Sequence, residues 1–212
     1  GRILPRPLAL LNPKQPHCPY PFKELCGCGV TYKLLQGLCQ RLEIPSARLN
    51  RYLDLVAVAT LADVVPLVDE NRTLAKLGMR LLNSQPSPGL RALKLATIDS
   101  DPETPADSQS IAFRMVPPLN AAGRLAKAEE TVKLMICQQA AEADLQAHRL
   151  VQINTLRRQT DSAVTAQALS MLSQDATFRH RKSTVVMQPG WEKGIVGIVA
   201  SRLIEKYYRP TI

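Results

Sequence analysis

The sequence predicts an α/β protein that is mostly helical, and three observations support this fold class. Apolar residues recur at helical spacing in several segments between 23 and 138. From 131 to 172 this spacing continues without a glycine or proline that would end a helix. A short apolar run over 184–187 predicts a strand, and a loop and an amphipathic helix over 195–208 follow it. We therefore predict three parts: a helical part over 1–138, a long connector helix over 139–175 and the start of an α/β unit over 183–212.

The segment before residue 45 predicts the end of a strand and one helix. The apolar run 8–11 is bounded by prolines and by Asn12, so it predicts a strand that enters a loop. The loop that continues to Pro21 is rich in proline and polar residues, and a helix is predicted over 23–42.

Three further helices are predicted before residue 99. Ser46 is placed to cap the first of them, and Asp69 is placed to cap the second. A turn at 87–89 precedes the third and shorter helix, over 90–96. The apolar stripe of the first helix consists of Leu49, Leu53, Val56 and Ala57, and that of the second consists of Leu74, Leu77, Leu81 and Leu82.

The predicted connector helix has apolar residues at steps of three to five positions, with Thr160 in the one longer gap. A helix of this length usually bridges two domains or lies along a neighbouring element. The residues that define its apolar stripe are Leu145, Leu150, Ile153, Leu156, Val164, Leu169 and Leu172.

The composition is that of a globular protein without a membrane span. Of the 212 residues, 45% are hydrophobic and 21% are charged, which argues against a mostly disordered chain. No apolar run reaches the roughly 18–20 residues that a transmembrane helix needs. Pro5 and Pro7 interrupt the N-terminal apolar stretch and no small-residue cleavage site follows, so this segment does not resemble a secretory signal. Because the sequence starts at Gly1 and ends where a strand would begin, we expect a fragment of a longer protein.

The net charge is +9, with a sequence pI near 9.6. A field of this sign favours polyanions such as nucleic acid or an anionic membrane surface. The basic excess is largest at the two ends of the chain, over 1–50 and 151–212. A protein that is merely basic would have the same net charge, so the charge leaves both alternatives open.

The five cysteines, at positions 18, 26, 28, 39 and 137, include no CxxC pair. Their spacing does not suit a metal site. An odd number of cysteines in a chain without a signal sequence is typical of reduced and mostly buried thiols. We therefore expect a cytoplasmic protein.

Asp63 is the first candidate for a functional side chain. It lies in LVAVATLADVVPL, where its neighbours are apolar or small. Burying a lone carboxylate is costly unless the carboxylate is paired or binds a cation. Asp63 is therefore either a helix-terminal carboxylate satisfied by backbone groups or an arginine, or a ligand for Mg²⁺ or Mn²⁺, which prefer oxygen donors. The residues alone favour the two alternatives equally.

Three further segments carry donors suited to an anionic group, which for Asn120 and Arg124 is a phosphate or a carboxylate. In PPLNAAGR, Asn120 and Arg124 lie one helical turn apart, and on the connector helix Asn154 precedes Arg157 by three residues. In GWEKGIVGIVASR, small residues surround a predicted helix N-terminus, which can hold an anion. Each segment also has an ordinary explanation, namely a capping Asn with a surface Arg, a solvated helix face and a glycine-rich turn. Trp191 either stacks on a base or packs in a loop or core.

In their order and spacing, five segments resemble the RecJ family, which belongs to the DHH phosphoesterase superfamily. Members of the RecJ family are single-stranded-DNA-specific exonucleases. The segments span most of the chain. Any one of them is a weak match, and the specificity lies in their order. They are LNPKQPHCPYPFKELCGCGVTYKLL, DLVAVATLADVVPLVDENRTLAKLGMRLL, MVPPLNAAGRL, NTLRRQ and GWEKGIVGIVASRLIEKYYRPTI.

The resemblance implies a domain for each part of the chain and a role for Asp63. It implies that 1–138 is the C-terminal part of a DHH phosphoesterase domain and that 183–212 starts a DHH-associated domain. Asp63 matches the carboxylate that closes the family's metal cluster, which makes it the catalytic and metal-binding candidate for two Mn²⁺ or Mg²⁺ ions in the full-length protein. The other ligands, an Asp-x-Asp, a further Asp and an Asp-His-His, are expected before Gly1.

The resemblance also implies a path for nucleic acid. Asn120 and Arg124 match a motif that lines this path in the family. The chain departs from the family at Glu192, where members usually have His, so any role of that His in holding substrate is changed or lost. The candidate nucleic-acid-binding residues are Asn120, Arg124, Asn154, Arg157, Trp191 and Arg202.

The implied activity of the full-length protein is 5′-to-3′ hydrolysis of single-stranded DNA by two-metal chemistry, in DNA repair and recombination. A helicase or a single-strand-binding protein is the implied partner besides DNA, and no membrane is involved. We expect this chain alone to be inactive because it holds one of several ligands. Two alternatives remain open: a smaller DHH phosphodiesterase acting on oligonucleotides or cyclic dinucleotides, and a non-catalytic RecJ-like nucleic-acid-binding module.

Overall fold

The computed structural model describes residues 9–125 and 128–212. The chain divides into two compact units, one ending at Val116 and the other spanning Pro117–Ile212. Across the described residues the regular structure is helical, apart from one parallel bridge between Thr184 and Thr211. This confirms the predicted mostly helical chain, while the assignment of its parts to named domains stays a prediction. None of the described helices is both long enough and apolar enough to cross a membrane.

The first unit consists of helices, and the longest connection between two of them is 98–107. The two that pack most closely are α2 and α3, which cross at Gly78. A Cβ at this position would collide with the carbonyl group of Leu53, so the crossing requires a glycine. The helical segments are α1 (Gly27–Arg41), a 3-10 helix (Ser46–Tyr52), α2 (Leu53–Ala62), α3 (Asp69–Ser84), α4 (Pro88–Thr97), α5 (Ser108–Ser110), a π-helical turn (Ile111–Met115) and α6 (Val116–Arg124), which begins at the last residue of this unit.

Two predicted helix starts in this unit are wrong. The helix expected from residue 23 begins at Gly27, because Cys26 is extended and its thiol accepts a hydrogen bond from the Gly29 N–H at 3.3 Å. The helix expected from Ser46 starts as a 3-10 turn without a side-chain cap and becomes α-helical only at Leu53.

Two further expectations near the start of the unit are also corrected. Val68, not Asp69, occupies the N-cap position of α3, and Asp69 is the first helical residue, at the positive end of the helix dipole. The predicted strand over 8–11 is absent from its described residues, 9–11. Instead of a neighbouring strand, the side chain of Gln15 donates to the Leu10 carbonyl at 3.3 Å.

The core of the first unit confirms one predicted apolar stripe and corrects the other. All four residues predicted for the first stripe are buried. In α3 the side chains of Leu74 and Leu82 are buried, whereas Leu77 is 42% exposed and lies on the solvent side. One buried cluster of this unit consists of Leu25, Tyr32, Cys39, Leu49, Leu53, Val56 and Leu74.

The second unit contains the long helix, which is interrupted once. The uninterrupted helix predicted over 131–172 is wrong at 137–139, where α7 ends and α8 has not begun. In this break the Cys137 thiol donates to the Gln139 carbonyl at 3.3 Å. The helical segments are α7 (Ala128–Ile136), α8 (Ala140–Gln174), a 3-10 helix (Phe178–His180) and α9 (Lys193–Tyr207).

The buried face of α8 differs from the predicted stripe. Leu145 is 74% exposed and Leu156 is 51% exposed, so these two predictions are wrong. Alanines take their place on the buried face because small side chains let the helix approach its neighbours closely. The longer gap in the predicted stripe contains Asp161, which is buried. The buried residues of α8 are Ala143, Ala147, Leu150, Ile153, Asp161, Val164, Ala168 and Leu172.

The strand predicted over 184–187 is reduced to a single bridge. The Thr184 N–H donates to Pro210 at 2.8 Å, and the Ile212 and Val186 N–H groups donate across the pair at 2.9 and 3.1 Å. These three hydrogen bonds define a parallel pairing of the two segments. Val186 of this pairing packs against a buried cluster of the second unit, which consists of Val164, Ala168, Leu172, Phe178, Ile195, Val199 and Leu203.

Candidate metal ligand and nucleic-acid interface

Asp63 lies where α2 ends, with its side chain exposed. Its N–H donates to the Ala59 carbonyl at 3.0 Å, which closes the last turn of the helix. Val64 follows with φ of 54° and is 88% exposed. A β-branched residue in the left-handed region is strained, and such strain is concentrated at functional sites. The chain therefore turns sharply away from α2 directly after the carboxylate.

A buried asparagine fixes the segment that follows Asp63. Asn71 is fully buried in α3, and its amide nitrogen donates to the Pro66 carbonyl at 3.0 Å and to the Glu24 carbonyl at 2.7 Å. These two hydrogen bonds join the segment after α2 to the segment before α1. Asn71 was not predicted from the sequence, although it lies on the buried stripe of α3 with Leu74 and Leu82 at spacings of three and eleven residues.

The environment of Asp63 corrects the argument that was based on its apolar neighbours. The carboxylate is exposed rather than buried, so no desolvation cost has to be offset. Its position at a helix end agrees with the first alternative, yet no arginine pairs with it among residues 9–125 and 128–212. That same part of the chain contains no group of three or more His, Cys, Asp or Glu side chains that could hold a metal ion. Asp63 is thus an exposed carboxylate at the end of α2 that belongs to no such group within the described residues.

In the second unit, Arg124 lies where α6 meets the first turn of α9. The Arg124 side chain is exposed, and its Nη1 donates to the Gly194 carbonyl at 3.3 Å. A Cβ at residue 194 would collide with the Arg124 carbonyl oxygen. Gly194 therefore has a structural role in this contact, which supports the ordinary explanation of the glycine-rich segment. Asn120 is exposed one helical turn before Arg124 on the same helix.

Arg157 lies half-buried on α8, with other charges close to it. Burial lowers the pKa of its guanidinium below the ordinary value, and the Asp161 carboxylate partly opposes that effect. Its Nε is buried and has no hydrogen-bond partner among the described residues, and the same is true of the Asn154 Oδ1 one turn earlier. Three positive charges lower the pKa of Arg157 further, namely those of Arg124, Arg158 and Arg202.

Asp161 on α8 and Arg202 on α9 form an ion pair. The Arg202 Nη2 on α9 donates to the Asp161 Oδ2 on α8 at 2.6 Å. The Asp161 side chain is 1% exposed, whereas that of Arg202 is 45% exposed. The pair therefore joins a buried carboxylate to a guanidinium that still reaches solvent.

We call Arg124, Arg157, Arg158 and Arg202 the guanidinium cluster. These residues come from α6, α8 and α9, so the tertiary structure brings together three of the predicted candidates that are far apart in sequence. The positive charges of Arg124, Arg158 and Arg202 act on the Arg157 guanidinium, and so does the negative charge of Asp161. An excess of guanidinium groups, each with several N–H donors in a fixed fork, suits phosphate oxygens.

The remaining candidates have separate environments. The Trp191 Nε1 donates to the Gln167 Oε1 at 2.9 Å, and the ring packs against the buried cluster of the second unit. This contact agrees with the packing alternative for Trp191. Glu192 is the exposed N-cap residue of α9, and its side chain forms no capping hydrogen bond.

Asp161 and Gln167 were not predicted from the sequence. Asp161 lies three residues before Val164 and eight after Ile153, which places it on the buried stripe of α8. A carboxylate at such a position would have predicted a basic partner on a neighbouring helix. Nothing in the sequence indicated a partner for Gln167, because its exposed position on α8 is ordinary for a polar residue.

Taken as a whole, the chain is similar to one group of known enzymes. No family model matches the chain. It is 40% identical over 213 residues to the single-stranded-DNA-specific exonuclease RecJ of Bacillus subtilis, covering 100% of this chain and 26% of that protein. It is 35% identical over 224 residues to RecJ of Escherichia coli, covering 38% of that protein. The chain thus spans between a quarter and two fifths of the length of these curated relatives.

Solved structures give the same result. The chain matches the crystal structure of RecJ from Thermus thermophilus in complex with Mg²⁺ with a TM-score of 0.76 and 34% identity, over 91% of this chain and 29% of that one. It matches a structure of exonuclease RecJ bound to manganese with a TM-score of 0.80 and 33% identity, over 100% of this chain and 51% of that one. These similarities confirm the resemblance to RecJ that the motifs predicted.

Proposed function

We propose that this chain, a homologue of part of RecJ, is a segment of an exonuclease that hydrolyses phosphodiester bonds of single-stranded DNA in the 5′-to-3′ direction. The observation that carries the proposal is similarity across the whole chain to RecJ, in sequence and in fold. Because the chain spans less than half of the curated relatives, the activity belongs to the longer protein. The chain alone would be inactive.

Asp63 is proposed as one metal ligand of that enzyme. Two features support this role: it is an exposed oxygen donor, the type that Mg²⁺ and Mn²⁺ prefer, and the segment around it is fixed by Asn71. When bound, a pair of divalent cations supplies positive charge to the attacked phosphate and lowers the pKa of an attacking water. Asp63 would hold and orient a cation, and the other ligands would come from outside this chain.

The guanidinium cluster is proposed to bind the phosphates of the strand. Arg124 and Arg202 reach solvent, and the charges of all four arginines act in one region of the second unit. Asn120 and Asn154 are proposed to add amide contacts to the same strand. Trp191, which is only partly buried, is proposed to stack on a base with the part of its ring that the packing leaves exposed. Binding of this kind is independent of sequence, as an exonuclease requires.

The similarity to RecJ disfavours the smaller DHH phosphodiesterase, because the curated relatives that match the chain are RecJ proteins. The non-catalytic module differs from the main proposal in one testable property, since it would bind DNA without turnover. A role in DNA repair and recombination, a cytoplasmic location and a helicase or single-strand-binding partner are further parts of the proposal.

A chimera tests the proposal directly. The matching segment of Bacillus subtilis RecJ is replaced by this chain, and digestion of 5′-labelled and 3′-labelled single strands is followed with Mn²⁺ or Mg²⁺. We expect 5′-to-3′ digestion, with loss of turnover but not of DNA binding in Asp63→Ala. Asp144→Asn, an exposed acid on α8, is the matched control and should digest normally. A folded chimera that binds DNA without digesting it would favour the non-catalytic module.

A further inference from the structure

Asp161 is a buried carboxylate that the proposed function does not yet use. We infer that Asp161 is a positioning residue of the guanidinium cluster: it holds Arg202 so that the remaining N–H groups of this arginine meet one phosphodiester group of a bound single strand. The inference rests on the proposed function and adds a residue that acts through Arg202 rather than by touching DNA.

The geometry of the pair supports a positioning role. Asp161 is 1% exposed and lies on the buried face of α8, so it cannot meet a solvent-exposed strand itself. Its Oδ2 accepts one hydrogen bond from the Arg202 Nη2, at 2.6 Å, and this bond leaves the other donors of the guanidinium fork for a second acceptor. The Arg202 side chain is 45% exposed and can therefore present those donors to solvent.

The charges around the pair indicate what the second acceptor is. Burial lowers the pKa of the Arg157 guanidinium, the positive charges of Arg124, Arg158 and Arg202 lower it further, and the Asp161 carboxylate opposes the shift. The buried Arg157 Nε, an N–H donor, has no acceptor among the described residues. A phosphodiester group supplies the negative charge and the acceptor oxygens that this arrangement lacks.

A positioning role and a merely electrostatic role predict opposite results for Asp161→Asn. The substitution keeps the size of the side chain and removes one negative charge. If Asp161 only screens the cluster, the chain becomes more positive and binds a polyanion more tightly. If Asp161 positions Arg202, its loss releases the arginine and weakens binding although the net charge has risen.

The test is fluorescence anisotropy of a labelled oligothymidine with the 212-residue chain at several salt concentrations. We expect Asp161→Asn to bind about tenfold more weakly, the order of one lost charge-assisted contact. The slope of log K against log salt should fall in magnitude by about 0.7, the value for one phosphate contact on a single strand. The control Asp144→Asn makes the same change at an exposed position of the same helix and should bind as tightly as the parent or slightly more tightly.

Arg202→Gln keeps the inference testable if Asp161→Asn fails to fold, because this arginine is half exposed. It should weaken binding and lower the slope by the same amounts, and adding Asp161→Asn to it should have little further effect. Tighter binding by Asp161→Asn, or unchanged binding by Arg202→Gln, would overturn the inference. If Arg124→Gln and Arg157→Gln weaken binding in that same experiment, the strand-binding proposal stands and only the inference fails. If the parent chain, without any substitution, does not bind the oligothymidine, both the strand-binding proposal and the inference about Asp161 are overturned.

Discussion

The Arg124 carbonyl lies directly against Gly194, so that the end of α6 and the start of α9 share a contact that no side chain could enter. The Arg124 guanidinium returns to the same residue, with its Nη1 3.3 Å from the Gly194 carbonyl oxygen. This double contact places one arginine of the guanidinium cluster beside the helix that carries another, Arg202. A glycine with a structural role thereby contributes to the proposed binding surface.

Gly194→Ala should separate these two helices. The added methyl group would overlap the Arg124 carbonyl, and overpacking of this kind costs about 1–3 kcal/mol. We expect a lower free energy of unfolding in urea, followed by the fluorescence of Trp191, and weaker binding of single-stranded DNA. Gly197→Ala is the control, since a Cβ there meets no atom within 4 Å, and it should be neutral or stabilising by up to about 1 kcal/mol. Equal effects of the two substitutions would contradict the proposed contact.

Asn71→Ala should loosen the segment around Asp63. The substitution leaves the carbonyls of Pro66 and Glu24 without their donor, which we expect to cost about 2–3 kcal/mol. Hydrogen exchange should then rise in the segment 63–68, and the chimera should need more Mn²⁺ for half-maximal activity. Asn50→Ala, at an exposed position of the 3-10 helix, should change neither property. Unchanged exchange in 63–68 would show that Asn71 does not fix this segment.

Val64→Gly should stabilise the first unit. Val64 has φ of 54°, a conformation that costs an L-residue about 1–2 kcal/mol and glycine nothing. Part of that gain is lost to the greater freedom of glycine in the unfolded chain, so a net gain of about 0.5–1 kcal/mol is expected in urea unfolding followed by circular dichroism. Val65→Gly, beside it but without a positive φ, should be destabilising. A destabilised Val64→Gly would mean that the turn is not strained.

The first unit should lose stability in alkaline solution because of Cys28. Burial, with a smaller contribution from the neighbouring Cys26, raises the pKa of its thiol from 9.0 to about 11. Since the folded state holds this proton more tightly than the unfolded chain does, the stabilisation is complete below pH 9 and is lost as the pH rises through 11. The urea midpoint should therefore fall between pH 9 and 11, and fall less in Cys28→Ala. The raised pKa values of Tyr20 and Tyr32, both caused chiefly by burial, account for the remaining decrease.

Much of the helical structure was determined by the sequence itself. The stripe of Leu49, Leu53, Val56 and Ala57 predicted a buried helix face, and the run without glycine or proline predicted the long helix that became α8. These features are local, because helical periodicity and the absence of helix breakers act within one segment. The ordered motifs also sufficed to indicate RecJ, since a match in order and spacing needs no coordinates.

The tertiary structure alone decided which side of each helix is buried where the pattern was ambiguous. Leu77, Leu145 and Leu156 were placed in apolar stripes and lie in solvent, whereas Asp161 occupies a buried position. Leucine is tolerated on either face, so its spacing does not identify the face that meets a neighbour. The break between α7 and α8 at 137–139 was also not predictable from the pattern, because it contains no glycine or proline.

For the proposed functional residues, the sequence indicated the candidates and the tertiary structure decided their contacts. Sequence motifs named Asp63, Arg124 and Arg202 as candidates, because their residue types and neighbours are local information. Only the folded chain brings Arg202 to Asp161 and Arg124 to Gly194, across 41 and 70 residues of sequence. Contacts between residues so distant in sequence depend on how whole helices pack. The sequence of one segment therefore does not identify the segment that it contacts.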